Sequence, residues 1–265
     1  MKPKTEEFLF FLLWSCDMLV RPTHRNLNES FEAWAYRSGL QRQLDELERR
    51  KLIESSKTPN STERLLRLTE AGRLHALLGR DPEKQWARSW DGKWRLVMFD
   101  MPADRDAERK RLWYYLRQGH FGLLQRSVWI TPDSLDQQRA LLKSTTPNAK
   151  MVTLLEANPC GGETTEDVVS VAWNFAEINK RYSDYLQVLQ NRPQGNLTSV
   201  ASAQTFRKWA NDERLAWAEA VNLDPLLPDQ ALPKDYAGKK AWQARVQAMT
   251  QAGKQLRSFK APASE

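Results

Sequence analysis

Near the N-terminus the apolar run Phe8 to Trp14 is flanked by Glu6, Glu7 and Asp17. It predicts a buried helix from about Thr5 to Leu19, with acids in the first turn complementing the helix dipole and Arg21-Pro22 ending it. The run is too short to cross a bilayer, and no small-residue cleavage site follows it. A second helix follows Asn28, a suitable N-cap, and ends at Gly39. Leu40, Leu44 and Leu47 recur at helical spacing and predict a third helix over Gln41 to Lys51. Its other face carries Gln41, Arg42, Gln43, Asp45, Glu46, Glu48 and Arg49. Leu52-Ile53-Glu54 and Arg64 to Leu68 read as strands around a polar turn containing Pro59-Asn60, and Thr69-Glu70-Ala71-Gly72 opens another helix. Three helices, a hairpin and a helix is the order of a winged helix-turn-helix, whose third helix enters the DNA major groove while the hairpin lies along the backbone.

The pattern then changes. Lys93 to Asp100 alternates as a strand, Pro102 breaks it, and Asp104 to Gln118 reads as a helix. Gly119 and Gly122 bracket a turn into a strand from Leu123 to Thr131 that ends at Pro132, followed by a helix around Ser134 to Lys143 and a strand around Met151 to Glu156. One further strand, near the Gly119 turn or at the end, would complete a ferredoxin-like sandwich. After Gly161-Gly162, Thr164 and Asp167 offer a capping box for a long helix extending to Leu189. Further helices are predicted near Ala201 to Val221 and Lys239 to Gln255. The expected fold is α+β: a winged-helix DNA-binding domain over 1–85, a ferredoxin-like α/β sandwich over 86–160 and a helical C-terminal domain over 161–265.

Length supports such a division, because 265 residues exceed the usual span of one core. With 41% hydrophobic and 28% charged residues and a mean hydropathy of -0.67, the composition is that of a globular, non-membrane protein. Cys16 and Cys160 have neither metal-ligand nor disulfide spacing, which fits a reducing cytoplasm and structural roles. His24, His75 and His120 are dispersed, so a zinc cluster or histidine-centred triad has little support, and no cofactor is expected. The net charge of +7 and pI near 9.4 favour a polyanionic partner.

Two blocks carry a family resemblance. Trp94 to Pro102, then Arg109 to Leu116, then Gly122 to Pro132 resemble the central domain of the PaaX-like transcriptional regulators, the phenylacetic acid degradation repressors. Asp224-Pro225-Leu226-Leu227-Pro228 and Leu232 to Gly238 resemble their C-terminal domain. The resemblance implies a dimeric repressor of a catabolic operon that binds double-stranded operator DNA and leaves it when an acyl-coenzyme A effector, such as phenylacetyl-coenzyme A, binds. It implies no enzymatic activity. The third helix is richer in acid than that family leads one to expect and the wing is rich in Ser, Thr and Asn, so the operator sequence does not carry over.

Gln41, Arg42 and Gln43 lie at the N-terminal end of the third helix, where side chains reach base edges; arginine pairs bidentately with guanine and glutamine with adenine. The plain alternative is a solvated helix face. Arg25, Lys57 and Arg64 are candidate phosphate contacts that would set register and salt dependence. Asp45, Glu46 and Glu48 repel phosphate and are expected to face away or to pair with Arg42 or Arg49. Most of the aromatic residues are explained as core, while Arg126, Trp129, Trp173, Arg181 and Tyr182 are candidates for an acyl or aryl pocket with coenzyme phosphates nearby. The central block also resembles the small ferredoxin-like CRISPR-associated nucleases, in which an aspartate at the end of the first strand binds a divalent metal. Asp100 holds that position, with Asp104 and Asp106 as further oxygen ligands, although an aspartate between a strand and a proline is often a turn former. Three readings follow: ligand-responsive regulator, metal-dependent nuclease, and DNA-binding adaptor without an effector.

Overall fold

A computed structural model describes residues 1–16, 27, 29–57, 64–136, 139 and 151–259. The fold is mixed α+β with two antiparallel sheets, and the chain divides into two compact units. One comprises 1–81, 183–218 and 239–265; the other comprises 82–182 and 219–238. No helix of the described residues is long and apolar enough to cross a membrane.

The first unit begins with α1 (Pro3–Cys16), α2 (Phe31–Tyr36) and α3 (Leu40–Arg49), continues through the hairpin β1 (Ile53–Lys57) and β2 (Arg64–Leu68), and reaches α4 (Glu70–Ala76). Every residue from Phe8 to Trp14 is buried, as a helix that is apolar all round requires. One side of α1 meets α2, α3, α4 and β2. Another side meets helices from much later in the sequence, α9 (Val200–Leu223) and α10 (Gly238–Arg257). Trp14 lies 6.2 Å from Phe206 and 5.7 Å from Trp209 between ring centroids, and Phe31 meets Phe259 at 5.6 Å. The expected helix following Asn28 instead starts after Ser30, whose hydroxyl accepts from the Ala33 amide, and Asn28 lies outside the described residues. Gly39, expected to end this helix, sits at the cap that opens α3.

The hairpin pairs Ile53 with Leu68 through Lys57 with Arg64, and the turn with Pro59-Asn60 lies outside the described residues. At its exit Thr69 caps α4 by accepting from the Gly72 amide at 2.9 Å, and its hydroxyl donates to the Lys51 carbonyl at 2.8 Å. Gly72 is required here, because a Cβ would lie 1.9 Å from the Leu52 carbonyl oxygen.

The second unit opens with α5 (Pro82–Trp86), a short helix that the pattern of the sequence did not announce although proline at a first helical position favours it. Then come β3 (Trp94–Phe99), α6 (Asp106–Gln118), β4 (Gly122–Gln125), β5 (Val128–Thr131) and β6 (Val152–Ala157). These strands form one antiparallel sheet in the order β4-β5-β3-β6. The single strand expected over Leu123–Thr131 is in fact a hairpin, turning at Arg126-Ser127. Val97, Phe99 and Trp129 from the sheet close a core with Leu112 and Leu116 of α6. The helix expected around Ser134 to Lys143 falls largely outside the described residues.

Thr164 and Asp167 form the expected capping box at the start of α7 (Thr165–Ala172). The long helix expected to follow is interrupted: Trp173 is extended, and α8 (Phe175–Gln190) starts afresh. The cause is tertiary. The Trp173 indole packs over Gly122, where a Cβ would come within 2.6 Å of it, and its Nε1 donates to the His120 carbonyl at 3.1 Å.

Candidate nucleic-acid interface

Two leucines, Leu44 and Leu47, anchor α3 in the core and decide which side chains face outward. Gln41, Arg42, Asp45 and Arg49 are exposed, whereas Gln43 is only 7% exposed and faces inward. Two of the acids that would oppose phosphate, Asp45 and Glu46, are held by side chains of α3 and its C-cap. Gln41 Nε2 donates to Asp45 Oδ1 at 2.7 Å, while Arg49 Nη2 and Arg50 Nε each donate to Glu46 at 2.6 Å. Those bonds, Arg49's first, lower the Glu46 pKa from its ordinary value. Glu46 therefore pairs with Arg49 and Arg50 rather than with Arg42, and among the described residues Arg42 has no carboxylate partner.

Lys57 and Arg64 occupy facing register positions at the turn end of the hairpin; their side chains lie outside the described part. Arg25 lies outside the described residues altogether, as does His24. Arg207 of α9 donates to both Glu7 carboxylate oxygens, at 2.9 and 3.1 Å, and its guanidinium lies 5.0 Å from the centroid of the Tyr36 ring. Burial, with the Glu7 charge second, pushes the Tyr36 hydroxyl well above the usual tyrosine pKa. Tyr36 ends α2 three residues before the cap of α3, so the footing of α3 is fixed from the late helices as well as from α1.

The five candidate ligand residues fall in different settings. Arg126 is exposed in the β4–β5 turn. Trp129 belongs to the sheet core, 5.6 Å from Trp113. Trp173 closes over Gly122. Arg181 is half-exposed and pairs with Glu177 at 2.9 Å and Glu219 at 3.6 Å. Tyr182 is fully buried and donates to Asp224 Oδ2 at 2.5 Å.

Asp224 is the centre of a cluster that sequence reasoning did not single out. Its carboxylate also accepts from the Tyr236 hydroxyl and, at 2.7 Å, from the Leu226 amide, while Trp86 Nε1 donates to Tyr236 at 3.2 Å. The Asp224-to-Pro228 and Tyr236 blocks thus meet in one buried network. A second buried centre lies between α8, α9 and α10. Glu213 Oε1 accepts from Tyr185 and from Arg245 Nε, each at 2.8 Å, and the Arg245 guanidinium is 4.7 Å from the Trp217 ring centroid. The signal for it was present: Trp209, Glu213 and Trp217 share one helical stripe, so the glutamate sits on an apolar face.

Asp100 is exposed at the end of β3, its amide donating to the Met151 carbonyl at 3.2 Å. Asp106 is held by Arg109 and Lys110, each at 2.7 Å, which lowers its pKa, with the Lys110 bond first. Among the described residues no group of three or more His, Cys, Asp or Glu side chains is placed to hold a metal ion. Cys160 is exposed and unpaired in a disulfide.

Against known families, residues 87–169 match the PaaX protein central Cas2-like domain, and residues 173–260 match the PaaX-like protein C-terminal domain. Among solved structures the chain is similar to the uncharacterized protein Rv0674 from Mycobacterium tuberculosis, at 19% identity and a TM-score of 0.59, covering 95% of this chain and 97% of that one. At that identity the likeness concerns the fold alone. No curated protein matches the chain significantly.

Proposed function

The chain belongs to the PaaX-like family, and from that premise we propose that it is a ligand-responsive transcriptional repressor that binds operator DNA. The observation that carries the reading is α3: it follows α2 through a tight turn, precedes the β1–β2 hairpin, and holds Arg42 outward while Asp45 and Glu46 are tied to neighbouring side chains. We read α1 to α4 with the hairpin as a winged helix-turn-helix, with Gln41 and Arg42 toward base edges and Lys57, Arg64 and Arg25 along the phosphates. Gln43, being buried, supports α3 from within on this reading.

The order β4-β5-β3-β6 supports a ferredoxin-like reading of the central sheet. We assign it a scaffolding or dimerising role rather than nuclease chemistry; among the described residues Asp100 and Asp106 belong to no group of three or more potential metal ligands. The effector we propose is an acyl-coenzyme A of the phenylacetyl type, the regulated genes a catabolic operon, the active species a cytoplasmic homodimer.

A gel shift on DNA from the gene's own upstream region, with and without a panel of aryl and alkyl thioesters, tests this. The expected outcome is a complex that weakens steeply with salt and is released by one thioester class. A complex indifferent to every thioester would favour an adaptor without an effector, and cleavage of the probe in magnesium or manganese would favour a nuclease.

A further inference from the structure

Between the start of α1 and α3 lies a cleft of about 560 Å³, within the size range of small-molecule sites. Lys2, Lys4, Arg42 and Arg50 line it with Tyr36 and Gln43. Among the described residues Glu46 is the one carboxylate on its wall, and that group already accepts from Arg49 and Arg50. Among the described residues Lys2, Lys4 and Arg42 have no carboxylate partner, so the cleft is net positive. Its buried side supplies the second feature. Gln43 is 7% exposed, and its Oε1 has no hydrogen-bond partner among the described residues. A buried amide oxygen left unsatisfied is unfavourable, and it wants a donor.

We propose that this cleft is a binding site for a small phosphorylated metabolite. Its phosphate monoester lies among Lys2, Lys4, Arg42 and Arg50, and an O–H or N–H group of the same molecule donates to Gln43 Oε1. Guanidinium forks match phosphate geometry, and lysines add charge without directional demand. The donor requirement separates this ligand from duplex DNA, whose sugar-phosphate backbone offers phosphates but no O–H or N–H. The site stands on the first unit alone and does not depend on the repressor reading. If that reading also holds, occupancy and operator binding compete for Arg42.

Titration calorimetry of the full chain with ribose 5-phosphate, which carries a phosphate and hydroxyl donors, tests the proposal. Saturable one-to-one binding is expected, weakened about tenfold by Gln43→Met, which keeps side-chain volume and removes the acceptor. Lys4→Glu, a surface change that leaves the fold intact, should weaken it by at least about as much. Inorganic phosphate should bind more weakly and ignore Gln43→Met. Absence of saturable ribose 5-phosphate binding, or equal affinity in the wild type and the Lys4→Glu variant, overturns the site.

Discussion

Helix α3 and the cluster around Glu213 use the same pairing, a glutamate held by arginine, in opposite surroundings. On α3 the Glu46 pairs with Arg49 and Arg50 lie at the surface, where water and salt screen them and their contribution to stability is small. Glu213 and Arg245 are each 1% exposed. There the loss of hydration must be offset by geometry, and Tyr185, the rings of Phe10, Trp217 and Trp242, and the direct 2.8 Å bond supply it in part. Glu213 Oε2 and Arg245 Nη1 remain without hydrogen-bond partners among the described residues. The charges differ in commitment: the interior pair fixes α9 against α10, whereas the exposed pairs on α3 contribute little to stability and are easily broken.

The largest expected effect is on the interior pair. Arg245→Met leaves the Glu213 carboxylate buried without its cation and should destabilise the chain by about 3–5 kcal/mol in urea titrations. Replacing both partners with apolar residues should recover most of that loss; a single-variant cost below about 1 kcal/mol would break the comparison.

Alkaline pH gives the next effect. Burial, reinforced by the neighbouring Asp224 and Glu213 charges, raises the pKa of Tyr182 and Tyr185 well above the ordinary value. The folded state therefore favours the protonated phenols. Their contribution is fully present below the unfolded pKa of about 10 and is lost above it, by about 1.4 kcal/mol per pH unit for each tyrosine. Stability measured from pH 9 to 11 should fall accordingly, and Tyr185→Phe should reduce the slope. A flat profile would show that these hydroxyls titrate freely.

The smallest effect belongs to α3. Glu46→Gln should leave the urea midpoint unchanged within error while strengthening DNA binding, since one negative charge leaves the helix proposed to face phosphate. A clear loss of stability would move this pair into the class of Glu213.

Much of this was legible in the chain. The leucine spacing of α3, the hairpin that follows it, and the Thr164–Asp167 box are local signals, and the structure has each of them. The breaks were not local. Between Gly122 and Thr131 only Ser127, a weak turn former, marks Arg126-Ser127 as a turn, with no glycine, proline, asparagine or aspartate there. The interruption at Trp173 answers to Gly122, about fifty residues earlier. The burial of Phe8 to Trp14 was plain from the run itself, but that helices beyond residue 200 cover part of it was not. Of the candidate interface, Gln41 and Arg42 face outward as their positions at the start of the helix suggest, while Gln43 turns inward because it shares the buried side with Leu44 and Leu47.

In the function proposed above, α3 reads DNA through Arg42. Fluorescence anisotropy of a labelled duplex from the gene's upstream region, set against a scrambled duplex, measures it for the wild type and for Arg42→Ala across a salt series. The variant is expected to keep its urea midpoint and its salt-dependent, non-specific binding but to lose about 1–3 kcal/mol of preference for the upstream sequence. Unchanged affinity and unchanged preference in Arg42→Ala would contradict it.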